Sequence, residues 1–125
     1  MKETNQQKDK LLSPYHLLVP SEVLKFFEVT GVKEAEENIT IILTEKLDNT
    51  PVHSTAKQLV LNGYMNPLDL LHYPIQGKSC YLRLIRRRWK EQGADGRQSH
   101  FNTYDFAAEG TKATKTFGAF LKENL

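Results

Sequence analysis

Ser79-Cys80-Tyr81-Leu82-Arg83-Leu84-Ile85-Arg86-Arg87-Arg88-Trp89 decides the fold of this chain. Cys80, Leu82 and Leu84 fall on one side of a two-residue period. Tyr81, Arg83, Ile85, Arg87 and Trp89 fall on the other. That alternation predicts one long strand over residues 79–89 with one face on a core. In front of it, Gln76-Gly77-Lys78 supplies a turn, and residues 68–73, stopped by Pro74, read as a shorter strand. Behind it, Gly93-Ala94-Asp95-Gly96 is a second turn, and residues 98–105 read as a return strand completing a hairpin.

Working outward, residues 39–45 are rich in β-branched side chains and predict another strand. It is preceded by a strand over residues 27–33 and the acidic turn Glu36-Glu37-Asn38. Pro20 and Ser21 open a short helix with Ser21 as N-cap. Val23, Leu24, Phe26 and Phe27 form its apolar side, and it runs toward Val29 or Gly31, overlapping the first strand. Residues 46–57 read as a loop, residues 59–64 as a short extended segment, and residues 1–12 as a flexible polar leader. The chain closes with a helix capped by Thr111, with Thr114, Phe117, Phe120 and Leu121 at helical spacing. The fold class is α+β: a short N-terminal helix, antiparallel β-hairpins and a C-terminal helix packed on the sheet, in one domain over residues 13–125.

At 125 residues the chain has room for one core. A mean hydropathy of −0.52 with 39% hydrophobic residues fits a folded domain in water. No apolar run is long enough to span a membrane, and the polar start lacks the apolar region of a secretory signal. With a single cysteine, Cys80, a cytoplasmic location is expected. Cys80 alternates with Leu82 and Leu84 and reads as a buried structural thiol. His16, His53, His72 and His100 have no metal-pair spacing and read as structural or surface residues. Asp69, Asp95 and Asp105 lie by turns and strand ends, and no glycine-rich phosphate loop is present. Neither a metal nor another cofactor is expected, and neither is catalysis.

Charge is distributed unevenly. Residues 1–75 carry seven lysines against ten carboxylates, whereas residues 76–125 carry ten cations against five. The excess gathers at Lys78, Arg83, Arg86, Arg87, Arg88, Lys90 and Arg97, around Trp89. Such a basic hairpin can grip phosphates by counterion release, with arginines forking onto phosphate or guanine edges and Trp89 anchoring the hairpin or inserting. These eight residues are the candidate DNA-binding set. The competing reading is a solvated hairpin whose arginines pair with carboxylates of the acidic half.

Residues 73–89, running from Tyr73-Pro74-Ile75-Gln76-Gly77-Lys78 into the arginine-rich strand, resemble the small N-terminal reading frame of two-part insertion-sequence transposases. The likeness extends to Leu18-Val19-Pro20, to Phe26-Phe27-Glu28-Val29-Thr30, and to Ala108-Glu109-Gly110-Thr111-Lys112 leading through Thr114-Lys115 into the last helix. A related group carries a similar turn and strand inside a zinc-binding domain, but its cysteine pairs are missing here, so no zinc is expected. The resemblance implies a transposase N-terminal domain that recognises the terminal inverted repeats of the element. The catalytic acidic triad of such transposases belongs to a part absent from this chain. A second reading is a module that docks onto a separately encoded catalytic subunit or forms a homodimer.

Overall fold

The computed structural model describes residues 14–52 and 57–124; the leader expected over residues 1–12 lies outside these, as does His53. In chain order the elements are α1 (Ser21–Leu24), β1 (Phe27–Glu34), β2 (Asn38–Glu45), β3 (Leu59–Tyr64), β4 (Leu68–Ile75), β5 (Lys78–Ile85), β6 (Arg87–Glu91) and α2 (Lys115–Glu123). Four strands form a mixed sheet in the order β1-β2-β5-β4, and β3 with β6 forms a separate two-stranded ribbon. The architecture is α+β and mostly sheet.

The hairpins β1–β2 and β4–β5 are antiparallel, and β2 runs parallel to β5 between them. A parallel pair needs a long crossover, and here the chain between β2 and β5 makes β3 and β4 on the way. The parallel register sets Ile39 beside Cys80, Ile41 beside Leu82 and Leu43 beside Leu84. These side chains share one face, and Ile41, Leu43, Cys80, Leu82 and Leu84 are fully buried. Val19, Val23, Phe27, Val29, Leu70 and Phe106 complete the core. Each large apolar side chain buried this way contributes roughly 1.5–3 kcal/mol. On the opposite face Arg83 pairs across strands with Asp69, and Thr30 bonds Thr44 through their hydroxyls at 2.8 Å.

Four local expectations are corrected. The strand expected over residues 79–89 breaks at Arg86: β5 loses its neighbour where β2 ends at Glu45, and the chain crosses to pair with β3. Residues 98–105 make no return strand, only the Trp89–His100 bridge. Tyr104 and Phe106 instead stack at 5.0 Å and lie edge-on to Phe27, closing the core. The first helix is a single turn with Pro20, not Ser21, at the N-cap, because β1 takes over from Phe27. The last helix is capped by Thr114, whose Oγ1 accepts from the Phe117 N–H, while the Thr111 hydroxyl donates to the Ala108 carbonyl and fastens the preceding turn.

The last helix covers the β4 edge. Leu71 exchanges backbone hydrogen bonds with Lys112 and Thr114, and Tyr73 packs edge-on against Phe117 at 5.0 Å. Pro74, which has no N–H for a ladder, sits in this edge strand beside a bulge. The expected packing of the C-terminal helix on the sheet is therefore present.

Candidate nucleic-acid interface

The ribbon begins where a buried carboxylate interrupts the sheet. Glu45 continues the inward row of Ile39, Ile41 and Leu43, so it is fully buried. Its Oε1 accepts the backbone N–H of Arg87 at 2.9 Å, and its Oε2 accepts from Asn102 Nδ2 at 3.2 Å and from the Tyr104 hydroxyl. Asn102 also donates to the Asn49 carbonyl at 2.7 Å. Burial first, and then the bond to Glu45 and its charge, push the Tyr104 hydroxyl far above its ordinary range, so it stays a donor. The Arg87 N–H is thus drawn out of the β5 ladder, and the Arg86 carbonyl takes the Met65 N–H. Arg86, Arg87 and Arg88 are turned onto the ribbon by this change of partners.

The candidate cations separate into two groups. Lys78 pairs with Glu34 at 2.9 Å, Arg83 grips Asp69 through Nε and Nη2 at 2.9 and 3.1 Å, and Arg97 pairs with Asp95 at 3.2 Å. The Asp69 bond and charge raise Arg83 further above its ordinary pKa. Two of these three pairs reach carboxylates of the acidic half, as the competing reading expects. The side-chain nitrogens of Arg86, Arg87, Arg88 and Lys90 have no carboxylate oxygen within 4.0 Å among the described residues. Carbonyls and rings hold them instead. Arg87 Nε donates to the Glu45 carbonyl at 2.8 Å and its guanidinium stands 5.7 Å from the Tyr64 ring centre. Arg88 Nε donates to the Asn62 carbonyl at 2.7 Å, and Lys90 Nζ to the Ala94 carbonyl at 3.2 Å. Arg86 Nη1 donates to the Asn102 carbonyl at 3.4 Å, with the guanidinium 5.6 Å from the Phe101 ring centre.

Successive side chains of a strand alternate between faces. Trp89 and Leu59 are buried on the inner face of the ribbon, so Trp89 anchors it and is not exposed for insertion. Arg87 follows the parity of Trp89. Arg88 and Lys90 share the outer face of β6, two residues apart, and Arg86 lies at the break just before the strand with its Nε buried. Trp89 and His100 exchange backbone bonds at 2.8 Å in both directions, which sets Phe101 next to Arg88 in register and on that same outer face. The Arg86 guanidinium reaches the same ring from the residue before β6. Gly63, at φ +80°, leaves room for the Arg88 guanidinium: a Cβ there would lie 3.3 Å from Nη2. The outer face therefore carries Arg88 and Lys90, with Val60 opposite Lys90, and Arg86 and the Phe101 ring adjoin it.

Sequence reasoning found the cations and missed Glu45, Tyr64, Phe101, Asn102 and Tyr104. Glu45 had a readable signal, since it occupies the inward parity of residues 39–45. Tyr64 and Phe101 had none, because their approach to the arginines depends on pairings between distant segments.

Among the described residues no three His, Cys, Asp or Glu side chains gather as a metal site. Cys80 is buried and its thiol is pushed up to about 11 by desolvation, far from a nucleophile. A hollow of about 470 Å³ is lined by Asp105 and Glu109 with Lys115 and Lys122, but Asp105 is 89% exposed and paired with Lys115 at 3.2 Å. No helix among the described residues is long and apolar enough to cross a membrane. No family model, curated protein or solved structure matches the chain.

Proposed function

We propose that this chain is a non-catalytic DNA-binding module, of the kind that accompanies the catalytic part of an insertion-sequence transposase in the cytoplasm and engages the terminal inverted repeats. One observation carries the reading. Arg88 and Lys90 on the outer face of the ribbon, with Arg86 just before it, are held by carbonyls, and no side-chain carboxylate among the described residues pairs with their charged groups. Cations held by carbonyls keep their full charge for phosphate, whereas those held by carboxylates do not. The expected chemistry is positioning on DNA; no group in the ribbon is set to break a bond.

Fluorescence anisotropy of the whole chain against the element's terminal repeat and a random duplex, across a salt series, tests the proposal. A slope of log affinity on log salt of about −3 is expected for three phosphate contacts. Arg88→Ala with Lys90→Ala reduces that slope by about 2. A flat salt response would overturn the proposal.

A second reading, docking to a separately encoded catalytic subunit or to a second copy, is favoured by Leu61 and Tyr64, which are 46% and 54% exposed on the ribbon. It predicts that Leu61→Ser with Tyr64→Ser abolishes complex formation in sedimentation and leaves the salt slope on DNA unchanged.

A further inference from the structure

We infer that the outer face of the ribbon takes unpaired nucleotides in preference to duplex, with Phe101 as the stacking platform. The inference rests on the DNA-binding reading above and names the form of DNA the site favours. Arg88 and Lys90 lie along β6 one two-residue step of roughly 6.6 Å apart, and Arg86 immediately precedes the strand. That is a single line of charge, suited to consecutive phosphates of one backbone. A duplex groove presents two backbones, and Arg87, the one remaining unpaired arginine of the ribbon, is committed to Glu45 and Tyr64 on the inner side.

The second element is aromatic. Phe101 lies beside the cation row, 39% exposed although large and apolar. The Arg86 guanidinium at 5.6 Å braces its ring. Arg86 is itself fixed by the Asn102 carbonyl, and its Nε is buried with no hydrogen-bond partner among the described residues. Neighbouring Asn102 is tied to Glu45 and Asn49, so the segment carrying Phe101 is held from behind. A braced, exposed ring next to a line of phosphate-binding cations is the arrangement that binds single-stranded nucleic acid: the backbone follows the charges and a base stacks on the ring. In an intact duplex both faces of each internal base are already stacked, so Phe101 gains nothing there.

The Arg88 fork contributes to the same surface. Its Nε is engaged with the Asn62 carbonyl, and Gly63 leaves space for Nη2 beside it. A lysine at position 88 keeps the charge and loses the fixed fork.

The test compares a dye-labelled single-stranded oligonucleotide with the duplex of the same sequence, in anisotropy titrations of the whole chain at one salt concentration. Single strand is expected to bind about tenfold more tightly, the effect of one stacked base. Phe101→Leu is expected to remove most of that advantage by weakening single-strand binding more than duplex binding, with an unaltered urea midpoint as the check on folding. Phe101→Trp is expected to restore the preference, and its indole fluorescence to fall on binding single strand. Equal or tighter binding of the duplex overturns the inference and leaves the DNA-binding reading standing. Equal loss on both substrates in Phe101→Leu does the same. Binding of neither substrate overturns both.

Discussion

Glu45 holds Arg87 at two points: its buried carboxylate accepts the Arg87 backbone N–H at 2.9 Å, and its carbonyl accepts Arg87 Nε at 2.8 Å. The end of β2 thereby fixes the start of β6, and the sheet and the ribbon become one structure. Replacing Glu45 by Ala removes the acceptor for the Arg87 N–H, the Asn102 amide and the Tyr104 hydroxyl together. A loss of about 3 kcal/mol is expected, because buried donors left unpaired cost more than the bonds themselves contribute. Glu45→Gln keeps one acceptor oxygen and is expected to cost about half as much. Urea denaturation of both variants measures this, and a loss under 1 kcal/mol for Glu45→Ala would show that the contact is not a structural joint.

Much of the sheet was legible and the joint was not, for one physical reason. Periodicity reports which face a side chain takes, so Cys80, Leu82 and Leu84 were correctly turned inward from sequence alone. Periodicity does not report which strand lies alongside. The alternation runs on through Arg86 without a mark, and the break there comes from β2 ending at Glu45, more than forty residues earlier in the chain. The fate of residues 98–105 was hidden similarly, since Tyr104 and Phe106 have strand-like spacing but are used as a lid on Phe27. Thr111 and Thr114 are chemically the same cap, and only the bond from Phe117 separates them. Of the site, the cations were readable by type, and their division into paired and unpaired was not.

The β4–β5 turn has a removable strain. Ile75 pairs with Lys78, and the two residues between them, Gln76 and Gly77, both have positive φ, 52° and 77°. That is the geometry of a type I′ hairpin turn, in which Asn-Gly is preferred and a longer side chain at the first position is disfavoured. Gln76→Asn is expected to stabilise the fold by about 0.5–1 kcal/mol. The urea midpoint measures it, and an unchanged or lower midpoint would count against the turn assignment.

Cys80 offers a probe of core opening. With no exposed surface and a thiol pushed up to about 11, it presents no reactive thiolate at pH 8 while the sheet is closed. Native protein is expected to resist a thiol-reactive dye for the lifetime of the fold and to label within minutes in denaturing urea. Rapid labelling of native protein would mean that β5 opens locally, which the packing of Leu82 and Leu84 on the same strand face argues against.

His72 couples the last helix to the N-terminal segment, and this makes stability depend on pH. The ring is buried on the sheet's inner face, with Nδ1 2.8 Å from Thr114 Oγ1, and it also hydrogen-bonds the backbone of Leu18. A neutral imidazole has one donor. With that donor given to Leu18, Nδ1 accepts from the Thr114 hydroxyl, whose oxygen in turn accepts from the Phe117 N–H and caps the helix. Protonating Nδ1 would turn the Thr114 hydroxyl away from its acceptor. Desolvation is the larger influence on the ring and lowers its pKa below the ordinary value of about 6.5, and the Leu18 bond opposes it only in part. The folded chain therefore holds His72 neutral at a pH where the unfolded chain has already taken up a proton. Its contribution to stability is complete above about pH 6.5 and declines as pH falls from there toward the lowered folded value. Urea midpoints of wild type and His72→Gln, compared at pH 7.5 and pH 5.5, isolate this contribution from the carboxylates common to both. Wild type is expected to lose more stability than the variant on acidification. Parallel losses in the two proteins would mean that His72 titrates alike in the folded and unfolded chain, and that the bond network at Thr114 does not depend on its neutral form.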